Sequence, residues 1–289
     1  MNYRHHFHAG NFADVFKHAV LVRLVRALQR KPAGLLLLDT HAGRGRYDLA
    51  AAAHGDSLAR APEWPDGIGR LWQRNDLSAE LVEYTTLVRD FDRSQGNAAD
   101  APVARFYPGS PWLLCALARP QDRLALCELQ ADECAALQGE FQFSPRTTVQ
   151  KLDGYTAVRA MLPPPERRAL VLIDPPFEAQ DEFARVVTAL GDGLRRLPGG
   201  TFAMWYPLTE RARTDEFFAR LHMLPLPPTL AVEVVVNPVA PKLKGCGLVI
   251  VNPPWQFECE AEPLAQWLAG ALAQSPDGGA NLRWLVPEK

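Results

Sequence analysis

Short runs of apolar residues recur along the chain, and four of them end in an acidic residue. Runs of this length without polar interruptions are typical of strands that are buried on both faces of a parallel sheet. The runs cover residues 34–39, 123–128, 147–153, 169–174, 201–206, 230–236 and 247–251. The pattern therefore predicts seven strands at the centre of the fold.

Segments with helical periodicity separate most of these strands. Residues 12–30 place Phe12, Val15 and Ala19 on one face, and Asn11 is positioned to cap that helix. Further helices are predicted at 111–119, 130–140, 154–161, 180–196 and 209–221. This alternation predicts an α/β fold with a doubly wound, Rossmann-like sheet.

The end of the chain departs from that alternation. Residues 237–246 are too short and too rich in proline and glycine for a crossover helix, so the last two strands should be antiparallel neighbours. Seven strands arranged in this way are typical of a Rossmann-like methyltransferase sheet. Residues 282–286 are a candidate for one further edge strand.

A long segment, residues 48–108, separates the first strand from the second, where one helix would suffice. Within it Ser78 is followed by Leu81, Tyr84 and Val88 at helical spacing. We predict a helical insertion subdomain at 48–108, with the methyltransferase domain formed by 1–47 and 109–289. Insertions at the carboxyl edge of such a sheet commonly serve the substrate.

The strongest chemical signal is Asp174-Pro175-Pro176-Phe177, at the end of the fourth strand. Prolines cannot continue a strand ladder because they lack an N–H. A carboxylate at Asp174 and the carbonyl of Pro175 can accept both hydrogens of an exocyclic amine, which frees its lone pair for attack on a methyl sulfonium. Phe177 offers a stacking surface for an extruded base. The alternative is a strand-terminating turn.

A second segment, Asn252-Pro253-Pro254-Trp255, has the same shape. Asp174 ends the strand predicted beside the first strand, where ligands bind in a doubly wound sheet. Asn252 ends the seventh strand, further from that point. We therefore expect Asn252 to occupy a turn and Asp174 to be the catalytic residue.

The turn after the first strand, residues 39–45, contains Gly43 and Gly45, which permit close approach of the backbone to a ligand. It lacks the third glycine of a dinucleotide fingerprint, since position 48 is Asp. At the ends of the next two strands, Glu128 is placed to hold the ribose hydroxyls of a nucleoside and Asp153-Gly154 to meet its adenine. Either acid alone is also compatible with a helix cap or a solvated strand end.

Ser110 precedes Pro111 at the start of a predicted helix. It is placed to act as the N-cap, to reach a cofactor, or to do both.

Composition narrows the class of protein. The 289 residues carry a net charge of −2, which does not indicate a nucleic-acid binder, but residues 1–31 hold six Lys or Arg, Lys17 among them, against one acid. That segment either faces phosphates or forms a solvated helix face.

No apolar run approaches the ~18 residues of a membrane span, no secretory signal is apparent and the cysteines form no CxxC pair, so we predict a cytoplasmic protein. His5, His6 and His8 lack further ligands at metal spacing, so no metal is expected.

Five segments together resemble the RlmJ family of bacterial 23S rRNA adenine-N6 methyltransferases, and the resemblance runs nearly end to end. They are residues 3–18, 38–47, 107–111, 173–176 and 251–255. The resemblance implies S-adenosylmethionine as cofactor and 23S rRNA as partner. It places His18, His41, Ser110, Glu128, Asp153 and Gly154 around the cofactor, Asp174 in catalysis, and Tyr3 on the RNA. Phe177 stands where the family often has Tyr, and the Phe ring preserves the stacking face.

Two other function classes stay open from the residues alone. A DNA adenine or protein-amide methyltransferase would use the same Asp-Pro-Pro-Phe chemistry, and a non-catalytic RNA-binding protein would need only the pocket. We expect a monomer. We also expect residues 1–11 to form a flexible arm that closes over the site on RNA binding, with Tyr3, Arg4 and Lys17 contacting the substrate.

Overall fold

The computed structural model describes residues 7–52 and 61–288, so the predictions for Tyr3, Arg4, His5 and His6 lie outside the described residues. The strands in chain order are β1 (Leu36–Asp39), β2 (Arg46–Asp48), β3 (Phe106–Pro108), β4 (Arg123–Cys127), β5 (Thr147–Gln150), β6 (Ala169–Ile173), β7 (Thr201–Leu208), β8 (Thr229–Val235), β9 (Gly245–Val251) and β10 (Gly279–Val286). The helices are α1 (Phe12–Gln29), α2 (Leu49–Ala52), α3 (Ile68–Trp72), α4 (Ala79–Ser94), α5 (Ser110–Leu117), α6 (Ala131–Phe141), α7 (Gly154–Met161), α8 (Glu182–Arg196), α9 (Arg211–His222) and α10 (Glu258–Ala271).

The main sheet has the order β10-β8-β9-β7-β6-β1-β4-β5. Strands β5, β4, β1, β6 and β7 are parallel, whereas β9 is antiparallel to both β7 and β8. The chain leaves β1 towards β4 on one side and later returns to β6 on the other side. The carboxyl end of β1 is therefore the topological switch point of the sheet.

Alternate residues of the central strands pack on opposite faces of the sheet. Leu37 belongs to a core shared with α1, α4 and α10, whereas Leu36 and Leu38 belong to a core shared with α7, α8 and α9. Both faces are buried, which explains why the strands read as continuous apolar runs. The predicted doubly wound, Rossmann-like α/β class is confirmed.

The predicted count of seven strands in the main sheet is too low. Strand β10 pairs antiparallel with β8 and makes an eighth, longer than the 282–286 candidate. Helix α10, which was not predicted, precedes it and contains Pro263. Its apolar residues are interrupted by three glutamates and a proline, so the helical periodicity is weak in the sequence.

The insertion begins and ends on a two-stranded ribbon, in which Arg46 pairs with Pro108 and Asp48 with Phe106. The carboxylate of Asp92 at the end of α4 accepts hydrogen bonds from the backbone N–H groups of Arg105 and Phe106, at 3.1 and 2.7 Å. Side chains of α4 share the core of α1. The segment thus packs directly on the sheet domain, and its definition as a subdomain stays a prediction.

No helix in the described ranges combines the length and the apolar character that a bilayer span requires.

Candidate functional site

A cavity of about 370 Å³ opens at the carboxyl ends of β1, β4, β5 and β6. Every predicted site residue within the described part of the chain lines it. These residues are Lys17, His18, His41, Gly43, Ser110, Glu128, Asp153, Gly154, Asp174, Pro175 and Phe177. The strand ends bring together residues that are far apart in the sequence, as expected at a switch point. Their individual roles stay predictions.

Asp174 lies in the cavity wall beside a buried lysine. Lys17 Nζ donates hydrogen bonds to Asp174 Oδ2 at 2.5 Å and to Asp14 Oδ1 at 2.8 Å, and only 6% of the Lys17 side chain is exposed. Burial disfavours the charge on Lys17, but the two carboxylates outweigh it and raise its pKa well above the ordinary value. Contact of Lys17 with RNA phosphates finds no support in this geometry, because its ammonium is enclosed and paired.

The Lys17 contact leaves Oδ1 as the oxygen of Asp174 that the ammonium does not engage. A carboxylate that is fixed through one oxygen is suited to accept a hydrogen bond from an amine on the other. Lys17 therefore positions Asp174.

Replacing Lys17 by Met should reduce turnover about tenfold, because Asp174 loses the charge-assisted hydrogen bond that fixes its Oδ2. Binding of S-adenosylmethionine, measured by calorimetry, should be unchanged. The exposed Lys31→Met is the matched control. Wild-type turnover in a folded Lys17→Met variant would contradict this role.

Asp39, at the end of β1, is fully buried and accepts a hydrogen bond from Ser110 Oγ at 2.6 Å. Burial raises the pKa of Asp39 to about 7, although the Ser110 hydrogen bond opposes the shift. Ser110 is the first residue of α5 and Gly109 occupies the N-cap position, so of the two alternatives for Ser110 the N-cap is wrong and the cofactor contact stays a prediction. The Ser110 hydroxyl instead connects the start of α5, which follows the insertion, to the end of β1.

His41 presents a neutral ring to the cavity. The Thr40 hydroxyl donates its hydrogen to Leu172 O, so His41 Nδ1–H must donate to Thr40 Oγ1 at 2.8 Å, which leaves Nε2 as an acceptor. Burial lowers the pKa of His41 to about 4. The ring meets Tyr155 edge-on at 5.0 Å. A neutral acceptor here is compatible with a cationic ligand.

Glu128 shapes the turn that follows β1. Its Oε2 accepts the Gly43 N–H at 2.9 Å and its Oε1 accepts the Gln130 N–H at 2.7 Å, and burial raises its pKa. Gly43 has φ +60°, and a Cβ there would lie 2.5 Å from the Tyr47 hydroxyl. Each carboxylate oxygen keeps a lone pair that can accept a ribose hydroxyl.

Glu128→Ala should weaken S-adenosylmethionine binding by one to two decades, the equivalent of about 1.5–3 kcal/mol for hydrogen bonds to a charged acceptor. Part of the loss comes from the Gly43 turn, which the carboxylate holds. Calorimetry on the folded variant measures it, with the exposed Asp132→Ala as control. Unchanged affinity would remove Glu128 from the cofactor site.

Asp153 is a helix cap, as its alternative interpretation allowed. Oδ1 accepts the Thr156 N–H at 2.9 Å at the start of α7, and Oδ2 accepts a hydrogen bond from Arg185 at 3.0 Å. Gly154 lies so close to the turn that follows β1 that an added Cβ would be 2.1 Å from Thr40 O. The pair therefore forms a close-packed part of the cavity wall, and a contact with adenine stays a prediction.

Aromatic side chains form the wall beside Asp174. Phe177 has a left-handed backbone, φ +50°, which turns the chain immediately after the two prolines. Its ring centroid lies 4.8 Å from that of Phe183 and 5.6 Å from that of Trp205. A flat base can stack against such a surface.

Sequence reasoning missed several residues of the cavity wall, notably Phe183, Trp205, Tyr155 and Arg185. Tyr155 directly follows Asp153-Gly154 in the sequence, and Trp205 lies on β7, beside the strand that Asp174 follows. Proximity to these predicted site residues was the signal that could have found both. Arg185 stacks on Tyr155 at 4.4 Å while it pairs with Asp153, and no sequence pattern indicated that contact.

His18 connects the cavity to the insertion through buried hydroxyl groups. His18 Nδ1 lies 2.8 Å from the Tyr107 hydroxyl, which lies 2.9 Å from the Tyr84 hydroxyl on α4. All three residues are buried. The insertion therefore supports a residue of the predicted cofactor site.

The competing segment occupies the opposite edge of the sheet, because β9 runs antiparallel to β7. Asn252 Nδ2 donates to Pro198 O and Gly200 O, both at 2.8 Å, and the residue has φ +50°. Its amide stabilises the start of β7. The expectation that Asn252 occupies a turn is confirmed.

The predicted flexible arm of residues 1–11 is too long. Phe7 is buried, His8 Nδ1 lies 3.0 Å from Glu63 Oε2, and Asn11 Nδ2 donates to the same oxygen at 2.8 Å. Burial disfavours ionisation of Glu63, but His8 and Asn11 outweigh it and lower its pKa. Residues 7–11 are thus packed against the insertion, and His8 lines the cavity.

The basic segment that precedes β1 also has a structural explanation. Arg23 and Arg30 pair with Glu260 on α10, and Arg26 pairs with Glu83 on α4. These arginines connect α1 to its neighbouring helices, which favours the structural reading of this charge over the phosphate-facing one.

Comparison with known proteins identifies close relatives. A family model described as "Ribosomal RNA large subunit methyltransferase D, RlmJ" matches residues 32–286. The chain is 38% identical to ribosomal RNA large subunit methyltransferase J of Escherichia coli and 36% identical to that of Haemophilus influenzae, each over all of both chains. The crystal structure of protein LPL1258 from Legionella pneumophila is similar with a TM-score of 0.83 at 32% identity, covering 96% of this chain and 97% of that one.

Proposed function

The chain belongs to the RlmJ family of ribosomal RNA large subunit methyltransferases, and on that premise we propose that it transfers a methyl group from S-adenosylmethionine to the N6 amine of an adenine in 23S rRNA. The observation that carries the proposal is Asp174-Pro175-Pro176-Phe177 at the carboxyl end of β6, beside the switch point and within one cavity with the predicted cofactor residues.

The residues of the cavity fit the cofactor. When bound, S-adenosylmethionine supplies a methyl group on a sulfonium whose leaving group is a neutral thioether. Glu128 is suited to the ribose hydroxyls, the neutral His41 can accept a hydrogen bond without repelling positive charge, and the Gly43 turn permits close backbone approach. Asp153 and Gly154 would face the adenine of the cofactor.

The protein's own part in the reaction is to activate and orient the amine. Asp174 Oδ1 and the Pro175 carbonyl accept the two N6 hydrogens, which withdraws the nitrogen lone pair from the ring and directs it towards the methyl carbon. Phe177 stacks on the base. As the nitrogen–carbon bond forms and the carbon–sulfur bond breaks, Asp174 is placed to receive the amine proton, while Lys17 holds its other oxygen.

The other function classes fit the chain less well. The amine chemistry of Asp174 is shared with DNA and protein methyltransferases, but the relatives that match along the full length carry ribosomal RNA in their names. A non-catalytic RNA-binding protein would have no need for Lys17 buried against Asp174. We retain the monomer and the cytoplasmic location as predictions.

Labelled methyl transfer tests the proposal. The protein is incubated with methyl-tritiated S-adenosylmethionine and 23S rRNA, DNA or protein, and labelled RNA is digested to nucleosides. We expect label in N6-methyladenosine from 23S rRNA alone. Label in DNA or protein, in another nucleoside, or in none of the substrates would contradict the proposal.

A further inference from the structure

Arg213, in the first turn of α9, lines the mouth of the cavity. Its guanidinium carbon lies 5.7 Å from the ring centroid of Phe183. Arg211 pairs with Asp215 and Arg220 pairs with Glu216 on the same helix, whereas Arg213 has no carboxylate partner among the described residues. An exposed guanidinium held over a ring, with its N–H groups available, is suited to contact a ligand.

The position of Arg213 is not explained by helix stability. Cations are disfavoured in the first turn of a helix because they meet the positive end of its dipole. The first turn of α9 carries no acidic residue, and the N-cap residue Glu210 makes no capping hydrogen bond with its side chain. A side chain placed against the local electrostatic preference is more readily explained by a role at the cavity.

Arg213 also lies where two concave surfaces meet. A groove between α8 and α9 adjoins the cavity and shares Phe183 and Arg213 with it. The rings of Trp205, Phe177 and Phe183 form a continuous series from the neighbourhood of Asp174 to this junction. A strand whose target base stacks on Phe177 would therefore pass Phe183 and Arg213 as it leaves the cavity.

We propose that Arg213 binds the backbone phosphate adjacent to the target adenosine, with the neighbouring nucleotide against Phe183. This inference rests on the proposed function. We expect a single phosphate contact, because the groove between α8 and α9 has mixed charge. Its Arg220 is paired with Glu216, and Asp181 also lines it. Arg213 is thus a substrate-binding residue that orients the strand entering the site.

Arg213→Ala should raise the KM for 23S rRNA about tenfold at moderate salt, the lower end for a charge-assisted hydrogen bond, and leave S-adenosylmethionine affinity unchanged. The dependence of log KM on log salt should become shallower by about 0.7, the value for one phosphate contact on single-stranded RNA. Arg213→Lys should keep the wild-type salt dependence, because it retains the charge. Arg211→Ala, which removes an exposed, carboxylate-paired arginine from the same turn, should change neither quantity.

An active wild-type enzyme with unchanged KM and salt dependence in Arg213→Ala would overturn this inference alone. A raised KM with wild-type salt dependence would mean that Arg213 contacts a stacked base and not a phosphate. That result would also overturn this inference. Failure of the wild-type protein to methylate RNA would overturn the proposed function, and the inference with it.

Discussion

Asp174→Ala should lower methyl transfer to RNA by about 10³-fold, in the range observed when an acid–base or charge-stabilising group is removed from an active site. The variant loses the acceptor that activates the amine. Folding should survive, because Lys17 keeps its ion pair with Asp14 and is not left as an unpaired buried charge. The affinity for S-adenosylmethionine should stay within about threefold of the wild-type value, since Glu128 and the turn that follows β1 are unchanged.

Single-turnover kinetics and calorimetry separate these effects. Asn252→Ala is the matched control, because it alters the segment of the same shape at the opposite sheet edge. Loss of its two hydrogen bonds should lower the free energy of unfolding by about 1–3 kcal/mol without reducing the turnover of the folded enzyme. Substantial turnover in Asp174→Ala, together with an inactive but folded Asn252→Ala, would exchange the roles of the two segments.

Deletion of residues 2–6 should reduce RNA methylation at least ~100-fold while cofactor affinity stays near the wild-type value. Tyr3, Arg4, His5 and His6 combine an aromatic ring, a cation and two titratable rings, and stacking alone contributes about 1–3 kcal/mol per base. They join the chain at Phe7, whose neighbour His8 lines the cavity. The deletion preserves Phe7 and the contact of His8 with Glu63, so the fold should remain.

Replacing the same five residues by glycine and serine distinguishes chain length from side-chain chemistry, and Tyr3→Ala should cause part of the loss. Assays follow RNA turnover and, in parallel, binding of S-adenosylmethionine. Full RNA turnover by the deletion variant would leave Arg213 and the insertion as the main candidates for RNA contact.

The sequence predicted the parallel half of the sheet and the members of the cavity because both depend on local rules. Buried strands read as apolar runs, and parallel strands bring the residues that follow them to one edge. Asp174, Glu128 and Gly43 were found in this way. Helix α10 and strand β10 were less visible, since a half-exposed helix with Pro263 weakens the periodicity on which such predictions rest.

Contacts between distant side chains could not be read from spacing. Lys17 and Asp174 are 157 positions apart, and nothing in either segment indicates that the ammonium is buried against the carboxylate. The same holds for the hydroxyl groups of Tyr84 and Tyr107 behind His18. Ser110 is a further example, because neither alternative that its position suggested, an N-cap or a cofactor contact, included its hydrogen bond to Asp39.

The separation of Lys17 from Asp174 also bears on the synthesis of the protein. Helix α1 leaves the ribosome before β6, so the Lys17 ammonium has only Asp14 as a partner until β6 has been translated. At about 5–20 residues per second, the 157 intervening positions take roughly 8–30 s. A nascent chain therefore cannot possess a competent centre during this interval, and activity begins only when the first helix and the sixth strand have been joined in one folded molecule.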